Sequence, residues 1–176
     1  TKEVNMNQLQ RQLADVIIRL ATMPGFNEAA KSSAVRYGFL NYVAKYSLSR
    51  DRYYITEAAW NHLKYLDLVS SKGLLRGSKS RKRKFTYEHP IPSNVVADEI
   101  LANPTDSAHI EFVLRRSDYV TVLTEEENNM LGGKLVNSMP LDWSFHDGSA
   151  FARYELVGID IHQESQQINV YGAIAR

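Results

Sequence analysis

Tyr119-Val120-Thr121-Val122-Leu123-Thr124-Glu125-Glu126-Glu127 is the stretch on which the fold turns. Residues 119–123 are apolar or β-branched, of strand length, and lack the alternation of a half-solvated strand. That pattern predicts a strand buried on both faces and central in its sheet. Thr124 and Glu127 then stand at capping-box spacing, where the hydroxyl accepts from the third helical amide and the carboxylate reaches back to the cap amide. The chain should therefore turn from strand to helix without a loop, and Gly132-Gly133 should close that helix.

Working outward, residues 84–88 alternate as a strand does, with Phe85, Tyr87 and His89 on one side and Thr86 and Glu88 on the other. Pro90 and Pro92 end it. Ser93 is expected to cap a helix carrying Val96, Ala97, Ile100 and Leu101, limited by Pro104, and a further helix is expected over 105–116. Downstream, 139–148 reads as loop and 150–157 as a helix stopped by Gly158, while 159–162 with 168–174 looks like a closing hairpin. Toward the N-terminus, Leu9, Leu13, Val16, Ile17 and Leu20 recur at helical spacing until Pro24-Gly25. A second helix is expected from Asn27 to Ser47, with Val35, Phe39, Tyr42, Val43 and Tyr46 on one stripe. Thr56 should cap a third, bearing Trp60, Leu63 and Leu66. The fold class is α+β: a helical N-terminal third followed by a small mixed sheet with flanking helices. One domain over 1–176 is expected, divided into a helical subregion 1–70, a basic connector 71–84 and an α+β subregion 85–176.

Composition sets bounds on function. Of 176 residues, 44% are hydrophobic and 23% charged, as in ordinary globular domains. Cysteine is absent, which excludes disulfides and thiolate metal sites and fits a cytoplasmic protein. No apolar run approaches the roughly 20 residues of a membrane helix, and residues 1–25 contain no signal-like apolar block. Gly-rich phosphate loops, nucleophile elbows and dinucleotide fingerprints are all missing, so nucleotide-cofactor enzymes are disfavoured.

The net charge of +1 conceals a local asymmetry. Residues 72–84 contain Lys72, Arg76, Lys79, Arg81, Lys82, Arg83 and Lys84 and no acidic residue. Setting these seven aside from 21 basic and 20 acidic residues leaves 14 basic against 20 acidic. A cationic segment on an acidic body attracts a polyanion at one place and repels it elsewhere, which points to nucleic acid as partner. A charge run is also how an ordinary solvated loop reads. Arg50 and Arg52 beside Tyr53-Tyr54 offer a second cationic and aromatic contact for nucleic acid. Arg153, Tyr154, Arg115 and Arg116 would extend a phosphate surface if they faced the basic stretch.

Directly after that stretch, Tyr87-Glu88-His89-Pro90-Ile91-Pro92 resembles the opening of HNH-type nucleases of the ββα-metal fold. The resemblance implies Glu88 as ligand of a divalent metal, Mg²⁺ in the first instance, and His89 as the base that deprotonates water. Asn103 and His109 stand nearest to the family's central Asn and its last His, which makes His109 a second metal ligand. The stretch 93–102 departs from the family, reading as a helix where the family has a second strand and loop. The CxxC pairs of many members are absent too. Such a site would hydrolyse phosphodiesters, the metal neutralising phosphate charge while a base of near-neutral pKa prepares the nucleophile.

Without the resemblance, Glu88-His89 reads as a strand end whose imidazole fills a polar corner. His146 with Asp142 and Asp147 offers another small metal site or an ordinary polar loop, and His62 reads as a surface or hydrogen-bonded helix residue. Three function classes stay open: a metal-dependent endonuclease acting on DNA or RNA, of the restriction or defence kind; a non-catalytic DNA- or RNA-binding protein, with a homodimer allowed; and a protein-interaction or immunity module whose basic loop meets an acidic partner.

Overall fold

The computed structural model describes residues 6–65 and 85–162. The basic stretch 72–84, the expected strand 168–174 and Leu66 lie outside the described residues.

Asn7 opens α1 (Gln8–Thr22) with a capping box, its side chain accepting from the Gln10 amide at 2.9 Å while the Gln10 side chain accepts from the Asn7 amide at 3.3 Å. Ala14, Ile17 and Ala21 form its buried stripe. The helix stops at an extended Met23, just before Pro24-Gly25, and Gly25, at φ 81°, takes a left-handed conformation at the start of the next helix. The single helix expected from Asn27 is two: a one-turn α2 (Phe26–Ala29) and a long α3 (Ser33–Leu48). Phe39, Val43 and Tyr46, four and three residues apart, are buried on α3, whereas Tyr42 lies off that row and is 43% exposed.

A short strand, β1 (Tyr54–Ile55), precedes α4 (Glu57–Tyr65), whose Ala59 amide donates to Thr56 Oγ1 at 3.2 Å, the expected cap. After β2 (Phe85–Glu88), α5 (Ser93–Ala102) starts one residue earlier than a Ser93 cap requires, because Pro92 occupies the cap position. Asp106, accepting from the His109 amide at 3.0 Å, caps α6 (Ser107–Arg116). The stretch quoted first forms β3 (Thr121–Thr124) and α7 (Glu125–Met130), with both capping-box bonds present. A 3-10 helix (Gly133–Val136) and α8 (Ala152–Val157) are the last elements among the described residues, α8 stopping at Gly158 with φ 74°.

The sheet is mixed and has the order β1-β3-β2. β3 runs parallel to β1, pairing Tyr54 with Thr121, and antiparallel to β2, pairing Phe85 with Thr124 and Glu88 with Thr121. All four residues of β3 are buried, so the strand is central and covered on both faces. From the expected hairpin, Ile161 bridges Thr56.

The main apolar core is built jointly by α1, α3, α5 and α6, through Ile17, Phe39, Ile100 and Leu114 among others. The first helices and the later ones thus bury one another, and the basic stretch does not divide the core. A smaller cluster under the sheet contains Tyr53, Ile55, Leu63, Phe85 and Val122. Polar ties reinforce the joint: the Gln10 side-chain amide donates to Asp118 Oδ1 at 2.9 Å, linking α1 to the turn before β3. Among the described residues no helix is long and apolar enough to cross a membrane.

Candidate functional site

Glu88 ends β2, and its side chain points to the face covered by α8. Its Oε1 accepts from Arg153 Nη2 and its Oε2 from the Tyr154 hydroxyl. Arg153 is 0% exposed, and its guanidinium also donates to the carbonyls of Pro90 (2.8 Å), His89 (2.6 Å) and Leu135. Such a buried cation is tolerable only when nearly all its donors are used. One guanidinium thereby fastens the end of β2, the Pro-rich turn after it and the 3-10 helix to α8. Burial pushes the Glu88 carboxyl up from its ordinary value, while Arg153 and the Tyr154 hydroxyl pull it down. Arg153 and Tyr154, considered above as a phosphate surface, are instead interior residues.

His89 places Nδ1 3.0 Å from Ser47 Oγ on α3, and Ser47 is itself buried. Its Nε2 has no protein partner among the described residues. Burial, with the nearby charges of Arg153 and Lys45, lowers the imidazole pKa from 6.5 to about 4. The ring is therefore neutral at pH 7. Both residues line an open cleft of about 350 Å³ between α3, the first turn of α5 and the end of the 3-10 helix. Tyr37 and Asn41 face it from α3, Asn94 from α5, and Asn137 from beyond the 3-10 helix.

His109, the second expected metal ligand, joins Glu99 instead, Nε2 to Oε1 at 2.9 Å. Asn103 caps the C-terminal end of α5. His146 stacks on Phe112 with ring centroids 4.9 Å apart, beside a second cleft of about 670 Å³ that Asp98, Glu99 and Trp143 also line. Among the described residues no group of three or more His, Asp or Glu side chains gathers that could hold a metal ion. Each Glu88 oxygen already accepts one hydrogen bond, from Arg153 or from Tyr154, which leaves one lone pair on each.

Arg50, expected as a phosphate contact, is found largely buried. It is 8% exposed, donates to the Asp118 carbonyl, lies 3.9 Å from the Asp118 carboxylate and sits over the rings of Tyr54 and Tyr119. Burial pushes the Asp118 carboxyl up, with Arg50 and Gln10 opposing. Tyr53, 0% exposed, belongs to the core, and Tyr54 packs against Tyr119 and Phe151. Arg52 stays on the surface. Arg116 donates to the carbonyls of Phe145 at 2.8 Å and Gly148 at 2.5 Å. Arg76, Lys79, Arg81, Lys82, Arg83 and Lys84 lie outside the described residues. His62 packs edge-on against Phe85 at 5.6 Å.

Sequence reasoning did not find Ser47, Asn41 or Asn137. Only the alignment of α3 against the Pro-rich turn brings them to His89, and no local spacing signals it. Compared with family models, with curated proteins and with solved structures, the chain matches none.

Proposed function

We propose that this chain is a non-catalytic nucleic-acid-binding protein that holds the phosphodiester backbone through the basic stretch 72–84. The observation that carries the reading is the concentration of seven cations and no acid in that stretch, on a body that is otherwise net acidic. Among the described residues, Lys31, Arg36, Arg50, Arg115 and Arg153 each stand within ion-pair distance of a carboxylate, so part of the positive charge outside the stretch is already matched.

Binding is favoured over hydrolysis by the site around His89. Glu88 is engaged at both oxygens, and an imidazole with a pKa of about 4 is a weak proton acceptor. In this reading the pair secures the strand end that follows the phosphate-binding stretch.

Fluorescence anisotropy with labelled single-stranded and duplex oligonucleotides tests it. Affinity should fall steeply with salt, by a log–log slope of about 0.7–0.9 for each phosphate contacted. Changing Arg81, Lys82, Arg83 and Lys84 together to Ala should reduce that slope by about 3, and His89→Ala should leave it unchanged. Absence of binding at low salt would remove the proposal. Mg²⁺-dependent cleavage lost in His89→Ala would replace it with the endonuclease reading.

A further inference from the structure

We propose that the cleft beside His89 receives one unpaired base of a single-stranded nucleic acid, so that bound single strands are gripped at a base as well as along the backbone. This rests on the nucleic-acid reading above and names the form of nucleic acid preferred.

The cleft, about 350 Å³, is at the small end of the roughly 300–1,000 Å³ of small-molecule sites. It admits a flat heterocycle and not a duplex. On α3, Tyr37, Asn41 and Ala44 follow one another four and three residues apart and form one wall, with Asn94 and Asn137 on the other. Tyr37 is 69% exposed, a free aromatic face at the rim of the kind on which bases stack whatever their sequence.

The polar groups suit a neutral, edge-bonding ligand. The Asn41 amide donates to the Tyr37 carbonyl at 2.9 Å and the Asn94 amide to the Asn137 carbonyl at 2.7 Å, which orients both side chains and leaves each Oδ1 without a partner among the described residues. The Asn137 side chain and His89 Nε2 are likewise without one among the described residues. The Glu88 charge is matched by Arg153, and the His89 ring is neutral, so the lining offers acceptors and donors with little net charge. Base edges present that same mixture of acceptors and donors. A free carboxylate or metal ligand would find no matching charge.

Position completes the argument. Lys84 is bonded to Phe85, the first residue of β2, and four strand residues span about 13 Å before His89. A strand held by the last cations of the basic stretch is therefore within a few nucleotides of the cleft.

Two measurements test this on the full chain. In the first, adenosine and uridine, which carry no phosphate, are titrated to about 10 mM while the side-chain amide signals of Asn41, Asn94 and Asn137 and the His89 ring are followed by NMR. Saturable shifts confined to these groups are expected, as for a dissociation constant near 1 mM. In the second, Ala44→Leu fills the cleft without removing a side-chain hydrogen bond, and Tyr37→Ala removes the exposed ring. Each should weaken single-stranded oligonucleotide binding about tenfold, the loss typical of one stacked base, and leave duplex binding unchanged. Tyr37 is exposed, so its replacement keeps the test valid should Ala44→Leu unfold.

Oligonucleotide binding by the wild type with no nucleoside shifts, or with both variants binding single strands normally, overturns this inference alone. Absence of any oligonucleotide binding overturns the proposed function and this inference with it.

Discussion

Replacing Arg153 with Met tests the interior charge network most severely. The guanidinium is 0% exposed and donates to Glu88 and to three backbone carbonyls, while Met keeps most of the side-chain length. Removing one member of a buried ion pair costs about 3–5 kcal/mol, because the remaining charge is left desolvated. Each carbonyl deprived of its donor adds roughly 1–3 kcal/mol before relaxation and water entry. Since these effects overlap, a loss of at least about 4 kcal/mol at pH 7 is expected, a large part of the ~5–15 kcal/mol of a domain this size. The loss should also depend on pH. Burial raises the Glu88 pKa, and without Arg153 less opposes it. The native variant then holds a proton that the unfolded chain releases, so stability is retained in acid and falls as pH rises through the folded value. Urea denaturation followed by circular dichroism, at pH 7 and near pH 5, should find a smaller deficit at the lower pH. Adding Glu88→Gln should recover part of the loss at pH 7. A single variant within about 1 kcal/mol of wild type, or a deficit that grows in acid, would refute the reasoning.

Other outcomes follow from the same geometry. His89 has a folded pKa lowered to about 4, so it contributes stability above its unfolded value of 6.5 that is lost as pH falls toward 4, on the order of 3 kcal/mol; a His89→Gln variant should have a flatter stability profile over that interval. Gln10→Ala removes a buried bond to Asp118 and should cost about 1–3 kcal/mol in urea titrations, the higher figure if the Asp118 carboxylate is left short of partners. A Cβ at Gly148 would lie 2.2 Å from the Trp143 ring, so Gly148→Ala should cost about 1–3 kcal/mol and alter tryptophan fluorescence. Thr56→Val removes both the α4 cap and a 2.6 Å bond to Glu127 and should lower the unfolding free energy by about 2 kcal/mol.

The elements legible in the sequence were those specified locally. β3 and the capping box after it need only neighbouring residues, and both appear as expected apart from a shift of the strand toward Thr124. β1 was not legible, since two residues cannot display an alternation and Tyr54-Ile55 is a strand only because distant Thr121-Val122 pairs with it. The surroundings of two cations were hidden for a related reason. Arg50 and Arg153 look like solvent-facing charges until Asp118 and Glu88, far along the chain, are folded against them. The cleft beside His89 was half legible: the histidine was singled out, but its surroundings depend on how α3 meets α5.

The position of β3 between its two neighbours also governs the order of assembly. Among the described residues, 54–55 and 85–88 make no ladder with each other, and each pairs with 121–124. Long-separation pairing of this kind slows folding, and during synthesis both segments present open edges that recruit other nascent chains. A ribosome-bound chain ending before residue 121 should therefore depend on chaperones far more than one that has passed residue 124.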